Sequence, residues 1–264
     1  MSAPPRELVA VLSAKGGCGA TFLAINLAGE LARHGAPSIL VLDLDFCKGD
    51  VGGFLDAPGE CDVHQLIQAG DHVDTAMLRG CARDYGEGGF QILVQPEDLT
   101  NLDVIGQAET VPLLEAAREG WDQVIVDCGS RIDPATLAAM LASDRVLVVL
   151  TPDIPALRDA KRILALFTRL GVDTDRVRFV LNKISRSARL DEDEVEEQLG
   201  HPLYARIRRD EETCATADLE GRLVRHVAPL SALSRDLRRT WGCLDEAPIP
   251  SPRISKRWSL PWSR

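Results

Sequence analysis

The feature that most constrains the fold of this chain is a glycine-rich loop between a short apolar run and a helical pattern. Residues 13–21 read S-A-K-G-G-C-G-A-T, after the apolar run 8–13 and at the start of a helical pattern over 21–33. A loop that leaves a strand and opens a helix presents backbone N–H groups and a helix N-terminus to an anion. Its glycines permit a tight turn and close approach of a ligand to the backbone. The pattern therefore predicts a phosphate-binding loop.

Short apolar runs alternate with helical patterns along the rest of the chain. The apolar runs lack strict alternation, which is typical of strands buried on both faces of a parallel sheet. Predicted strands lie at 8–13, 39–42, 91–94, 123–127, 145–150 and 177–181, and predicted helices at 21–33, 107–119, 134–142 and 155–170. Strand alternating with helix indicates an α/β fold with a doubly wound, mostly parallel sheet and helices on both faces.

Composition narrows the class of protein. The chain has 264 residues, of which 45% are hydrophobic and 27% charged, which excludes a disordered chain. No apolar run approaches the roughly 20 residues of a membrane-spanning helix, and the amino terminus lacks the basic region of a signal peptide, so we expect a cytoplasmic protein. Seven cysteines without a Cys-x-x-Cys pair favour reduced thiols over disulfides or a zinc site.

Charge is distributed unevenly between a large domain and a short tail. The net charge of −10 argues against a surface that tracks nucleic acid throughout. We predict one domain over residues 1–243 and a Pro/Ser/Trp-rich basic tail over 244–264. The tail places Trp258 and Trp262 among basic residues, a composition that suits peripheral contact with a membrane interface. A flexible linker or partner-binding peptide is the alternative.

The loop departs from the general phosphate-loop pattern G-x-x-x-x-G-K-[ST], because Ala14 replaces the first glycine and Ala20 the lysine. Residues 15–21, K-G-G-C-G-A-T, instead resemble the deviant Walker A loop of the MinD/ParA ATPases, K-G-G-x-G-K-[ST]. In that family the first lysine, matched by Lys15, reaches across a nucleotide-sandwich dimer to the partner's phosphates. The resemblance, which covers about residues 7–243, implies ATP and Mg²⁺ as cofactors and a homodimer as the active form.

Two acidic positions follow the second predicted strand. Asp43 and Asp45 lie two residues apart, so both carboxylates leave the carboxyl edge of the sheet on one side, where ligands bind in such folds. Two acidic residues can also simply solvate a strand end. By resemblance, Asp45 orients the attacking water and Asp43 helps to hold Mg²⁺ through water.

Further strand ends match the family. Asp127 closes the strand 123–127 like a Walker B aspartate, and Asn182 resembles the family's adenine-reading asparagine, although an asparagine there can equally be a turn residue. The resemblance thus assigns catalytic roles to Lys15 and Asp45 and metal binding to Thr21, Asp43 and Asp127. It assigns nucleotide binding to Gly16, Gly17, Cys18, Gly19, Ala20, Thr21 and Asn182.

The loop form K-G-G-x-G-A-T and the segment D-x-x-x-G-D-V at 45–51 are most similar to the CpaE/TadZ branch of Flp/Tad pilus assembly. This resemblance implies an ATP-binding dimerising switch that localises a pilus or secretion assembly, in the cytoplasm or at the inner face of the cell membrane or the cell pole. Hydrolysis is expected to be slow or absent, because Ala20 removes a charge that would stabilise the transferring phosphoryl group. The alternatives are a nucleotide-insensitive scaffold of the same fold and a ParA-type partition ATPase that binds nonspecific DNA.

Overall fold

A single eight-stranded sheet forms the centre of the computed structural model, which describes residues 6–244 apart from 58–60, 62, 69 and 96–104. The strands are β1 (Glu7–Ser13), β2 (Ile39–Asp43), β3 (Arg83–Tyr85), β4 (Phe90–Leu93), β5 (Gln123–Asp127), β6 (Arg145–Leu150), β7 (Val177–Ile184) and β8 (Leu203–Arg208). Their order across the sheet is β3-β4-β2-β5-β1-β6-β7-β8. All neighbours are parallel except β3, which runs antiparallel to β4 at one edge. The predicted doubly wound α/β fold is confirmed.

Helices connect the strands and cover the sheet. They are α1 (Ala20–Arg33), α2 (Asp50–Phe54), α3 (Val63–Gln68), α4 (Thr75–Cys81), α5 (Gln107–Gly120), α6 (Pro134–Ala142), α7 (Ile154–Arg169), α8 (Glu192–Leu199), α9 (Glu211–Leu219), α10 (Val224–Val227) and α11 (Ala232–Leu244), with short 3₁₀ turns at Gly70–His72 and Thr174–Arg176. The four predicted helices correspond to α1, α5, α6 and α7 within one residue at each end.

The direction of each crossover decides which face a helix covers. The chain moves from β1 outward to β2 through α1, but back toward the centre from β4 to β5 through α5. Because parallel crossovers are right-handed, these opposite movements place α1 and α5 on opposite faces. The packing agrees, since α1 contacts α10 and α11 whereas α5 contacts α3, α4 and α6.

The central strands are buried along their whole length. Every residue of β2, β5 and β6 is buried, and all but the first residue of β1. Helices on both faces leave no solvent side, which explains why these strands read as continuous apolar runs. The edge strand β8 instead alternates buried and more exposed residues, and β3 has three residues. Neither was predicted, because both lack an apolar run.

A disulfide joins Cys61, just before α3, to Cys81 at the end of α4, with the Cα atoms 5.1 Å apart. The expectation that the thiols are reduced is therefore wrong for this pair. A separation of 20 residues carries no pairing signal in the sequence; it is the fold of this segment that brings the two cysteines together. Cys18, Cys47, Cys128 and Cys214 are free thiols.

The predicted tail begins at Leu244, which is the last residue of α11. The rest of the tail, with Trp258 and Trp262, lies outside the described residues. Among the helices that the structure does describe, none combines the length and apolar character needed to cross a membrane.

Candidate nucleotide-binding site

The glycine-rich loop leaves the sheet at the point where the strand order reverses. β1 lies between β5 and β6, and the chain builds the β2 side before it crosses to the β6 side. Open α/β sheets bind ligands at such a switch point, beyond the carboxyl ends of the strands. A cavity of about 410 Å³ opens here, with Gly16, Gly17, Gly19, Ala20 and Thr21 in its lining.

Glycine is required at two positions of the loop. Gly17 and Gly19 have φ angles of 83° and 98°, in the left-handed region that disfavours other residues. A Cβ at Gly19 would also lie 2.6 Å from Asn182 Nδ2, too close for any side chain. The loop is closed by Ser13, whose Oγ accepts a hydrogen bond from Ala20 N at 3.2 Å. This shape leaves the loop backbone open to a ligand.

Ala20 and Cys18 contribute no charge to this site. Ala20 begins α1 and is 3% exposed, so a methyl group stands where the phosphate-loop pattern has a lysine. Cys18 is fully buried, and its Sγ lies 3.7 Å from Thr151 Oγ1 rather than in the lining. The loop therefore offers backbone groups and the Thr21 hydroxyl, but no ammonium group of its own inside the cavity.

Lys15 lies on the loop, yet its side chain is not part of the cavity lining. Its Nζ is 3.4 Å from Asp153 Oδ2, and the side chain is 35% exposed. Asp153 precedes α7 and caps it, because Oδ1 accepts a hydrogen bond from Ala156 N at 3.0 Å. Burial works to raise the pKa of Asp153, but hydrogen bonds from Thr151 and Ala156 and the Lys15 charge outweigh it and lower the pKa. Lys15 is thus held at the protein surface beside the loop.

Asp43 and Asp127 are directly paired in the register of β2 and β5, and both are fully buried. Asp43 accepts hydrogen bonds from Asp45 N at 3.0 Å and from Val51 N at 3.2 Å. Burial, followed by the charge of Asp127, raises the pKa of Asp43 well above its usual range. Asp43 therefore holds the turn that follows β2, and contact with a metal through water stays a prediction.

Asp127 has a free oxygen. Its Oδ1 accepts a hydrogen bond from Gly129 N at 3.2 Å, whereas Oδ2 is buried and has no hydrogen-bond partner among the described residues. Burial raises the pKa of Asp127 to about 7, and a hydrogen bond from Thr21 opposes that rise. A buried carboxylate oxygen without a partner, next to a hydroxyl group, is a donor set that fits Mg²⁺.

Asp45 lines the cavity from the turn after β2. Its Oδ1 accepts a hydrogen bond from Cys47 N at 3.1 Å, and burial raises its pKa. The carboxylate packs against Gly129, where a Cβ would lie 2.9 Å from Asp45 Cβ and closer still to the carboxylate. Gly129 also has a φ of 61°. The Cys-Gly-Ser segment after β5 is therefore shaped to admit Asp45.

Asn182 and Lys183 join the loop to the end of β7. Asn182 Nδ2 donates to Cys18 O at 2.8 Å, and its Oδ1 accepts from Lys183 N at 2.8 Å. Lys183 Nζ donates to Gly17 O at 2.8 Å. Both side chains line the cavity. The structure thus brings Asn182 to the predicted site, where it binds the loop backbone, and its contact with a base stays a prediction.

Sequence reasoning missed one wall of the cavity. The end of β8 and one side of α9 contribute Arg208, Arg209, Asp210, Glu211, Cys214, Ala215 and Asp218, and the turn after β2 and the first residue of α2 contribute Lys48 and Asp50. The buried positions of β8, Leu203, Ala205 and Ile207, recur every second residue. That alternation was the signal that could have identified this strand, and with it the wall.

Comparison with known proteins identifies relatives with this fold. Residues 6–176 match the model of a family described as an AAA domain. A ParA family ATPase from Chlorobium tepidum superposes with a TM-score of 0.84 at 26% identity, over 91% of this chain and 99% of that one.

This chain belongs to the MinD/ParA family of P-loop ATPases. An uncharacterized ATP-binding protein of Methanocaldococcus jannaschii is 30% identical over 68% of this chain, and the match spans 65% of that relative, slightly less than two thirds of its length. The septum site-determining protein MinD of Pyrococcus horikoshii, solved with Mg-ADP, shares the fold with a TM-score of 0.78 at 20% identity, over 91% of this chain and 96% of that one.

Proposed function

We propose that this MinD/ParA-type protein is an ATP-dependent dimerising switch that localises a pilus or secretion assembly and hydrolyses ATP slowly. The observation that carries the proposal is the position of Lys15. Its ammonium is on the loop but outside its own chain's cavity, on a partly exposed side chain held by Asp153. A surface ion pair of this kind is weak, so the lysine can leave Asp153 at little cost.

If a second copy of the chain faces the cavity, Lys15 can interact with a nucleotide bound to that copy. Its flexible four-carbon stem can carry the ammonium into the neighbouring site, where it binds the phosphates of the partner's nucleotide. ATP then bridges two chains, and dimerisation depends on the nucleotide. The buried, unpartnered Asp127 Oδ2 and the Thr21 hydroxyl would hold the accompanying Mg²⁺.

Two residues, Asp45 and Ala20, support the proposal that hydrolysis occurs but is slow. Asp45 lies in the cavity lining, in position to orient a water molecule. Ala20 offers no charge to the transferring phosphoryl group, and electrostatic stabilisation is usually the largest contribution to such catalysis. We therefore expect the chain to remain in its ATP-bound form for long periods.

The choice of a pilus or secretion assembly as partner rests on the similarity of the loop and of the D-x-x-x-G-D-V segment to the CpaE/TadZ branch. Binding of nonspecific DNA is disfavoured, because the chain carries a net charge of −10 and some arginines of the carboxyl-terminal half are paired with acids. Arg206 pairs with Glu192 and Glu196, and Arg208 with Asp236. Paired arginines have little free charge for phosphates of DNA.

Light scattering with and without Mg-ATP tests the proposal. We expect the molar mass to double with ATP, and Lys15→Ala to remain monomeric while still binding ATP. Lys161→Ala, which removes an exposed lysine of α7 that donates a hydrogen bond to Gln198, is the matched control and should dimerise normally. A wild-type mass that does not respond to ATP would instead support the nucleotide-insensitive scaffold.

A further inference from the structure

The cavity needs a positive charge that the loop does not supply. Gly16, Gly17 and Gly19 line it with backbone alone, and Ala20 adds only a methyl group. A triphosphate brings several negative charges into this space, and neutralising them requires cationic side chains in addition to Mg²⁺. In the proposed dimer Lys15 of the second copy supplies one such charge, but in a single chain the charge must come from elsewhere in the lining.

Four cationic side chains line the cavity: Lys48, Lys183, Arg208 and Arg209. Three of them already contact protein groups, although the exposed pair of Arg209 is as weak as that of Lys15. Lys183 donates to Gly17 O at 2.8 Å, Arg208 forms a two-pronged pair with Asp236 at 2.6 and 3.0 Å, and Arg209 pairs with Glu211. Within the part of the chain that the structure describes, the Lys48 ammonium forms no hydrogen bond or ion pair, and its charge acts on the Asp45 carboxylate, where it opposes the rise in pKa that burial causes.

The backbone that carries Lys48 is fixed to the sheet. Lys48 N and Gly49 N donate to Asp45 O at 3.2 and 2.9 Å, and Asp43 accepts from the amides on either side of this turn. Gly49 packs so closely on Gln95 that a Cβ would lie 2.5 Å from Gln95 Cβ. The turn therefore holds a fixed position beside Asp45, while the exposed Lys48 side chain is free to move.

We propose that Lys48 supplies, from the turn after β2, the positive charge on the β- and γ-phosphates of ATP that Ala20 cannot supply from the loop. The assignment rests on the proposed nucleotide function and adds a residue to it. It also links the nucleotide to the turn that carries Asp45, because the phosphates would pull on Lys48, which is adjacent to Gly49 and two residues before the start of α2.

Equilibrium binding of fluorescent ATP and AMP in the presence of Mg²⁺ tests the assignment. Lys48→Met keeps the apolar stem and removes the charge from an exposed position, so folding should be unaffected. We expect affinity for ATP to fall about 10-fold or more, the effect of losing one charge-assisted hydrogen bond, and affinity for AMP to change by less than about 2-fold. Lys161→Met is the control for loss of a surface lysine.

A second variant distinguishes loss of the phosphate contact from an unrelated effect of Lys48→Met on ATP binding. Ala20→Lys restores the loop lysine, and in that background Lys48→Met should weaken ATP binding far less than in the wild-type chain. Equal losses in both backgrounds, or equal losses for ATP and AMP, would overturn the role of Lys48. If Lys48→Met binds ATP as well as the wild type, the assignment fails but the switch survives; if the wild type binds no ATP, both fail.

Discussion

The Asp45 carboxylate occupies the space that a side chain at position 129 would need. Because Gly129 has a φ of 61° and its Cα faces the Asp45 carboxylate, Gly129→Ala meets both backbone strain and a clash. We expect it to displace Asp45, to slow release of phosphate from ATP and to lower the free energy of unfolding by about 2 kcal/mol or more. Denaturant unfolding and phosphate release measure the two effects.

Gly171→Ala is the matched control for that substitution. Gly171 has a φ of 66°, but a Cβ there would meet nothing within 4 Å. Gly171→Ala should therefore lower the free energy of unfolding by about 1 kcal/mol, through backbone strain alone, and should leave phosphate release unchanged. If the two variants behave alike, the contact between Asp45 and Gly129 has no functional role.

Glu7 gives the fold a pH dependence far from the cavity. Burial raises its pKa to about 7, against the opposing charge of Arg145, whose Nε lies 2.9 Å from Glu7 Oε1. The folded chain therefore holds this proton more tightly than the unfolded chain. The resulting stabilisation is fully present below about pH 4.5 and is lost as the pH rises through about 7.

The slope of stability against pH tests this directly. Between pH 5 and 8, the free energy of unfolding of the wild type should fall by about 2–3 kcal/mol more than that of Glu7→Gln. Comparing slopes removes the constant cost of disturbing the pair with Arg145. Parallel pH profiles for the two proteins would show that Glu7 titrates normally.

For single residues, the sequence predicts whether a side chain lies near the cavity better than it predicts the hydrogen-bond partners of that side chain. Asp45 and Thr21, which the sequence assigned to the site, both line the cavity, because one follows the end of a strand and the other lies at the start of a helix; their roles stay predictions. The bonds of Asp43 and Asn182 to backbone amides and carbonyls could not be predicted. Asn182 reaches a carbonyl 164 residues away, and no local pattern encodes such a partner.

Among the elements, α7 is connected to the loop through Asp153, the residue that precedes it. Asp153 caps the helix with Oδ1 and holds Lys15 with Oδ2. Asp153→Asn keeps a capping side chain but removes the charge that retains Lys15. Under the proposed function, we expect the Mg-ATP concentration for half-maximal dimerisation to fall by about 2- to 5-fold, as for an exposed ion pair.

A second substitution separates capping from charge. Asp153→Ala should also lower the free energy of unfolding by about 1 kcal/mol through loss of the cap. Asp191→Ala, which removes the cap of α8 and does not contact Lys15, should destabilise the chain similarly without changing dimerisation. A dimerisation midpoint that is the same in all variants would show that Asp153 does not restrain Lys15.

Prediction of elements from sequence succeeded where burial is complete. The six predicted strands are all present, because runs such as Arg145–Leu150 are buried on both faces. The helices α8, α9 and α11 were missed; the first two are short, and α8 is strongly acidic. Tertiary contacts, such as that of α11 with β8, fix such segments more than their own patterns do.

At the scale of the whole molecule, we predict that the basic tail binds the membrane surface and so helps to set where the protein resides. With Mg-ATP, the full chain should cosediment with vesicles that contain anionic lipid, because a dimer presents two tails at once. Trp258→Ala combined with Trp262→Ala should reduce the bound fraction several-fold. Ser255→Ala combined with Ser259→Ala is the control in the same segment. Equal binding by both double variants would assign the tail to a linker or a protein partner.

The hydrogen bonds of Asn182 and Lys183 to the loop have a consequence for how the protein can be altered. They tie the loop after β1 to β7, two strands away, whereas Asp45 and Asp127 come from β2 and β5 on the other side of β1. In the proposed function, base preference is therefore encoded on one half of the sheet and discrimination of ATP from ADP on the other. The two halves meet at the loop, so an engineer who redesigns the wall from β8 to α9 for another base must keep Asn182 and Lys183 to leave the timing of the switch intact.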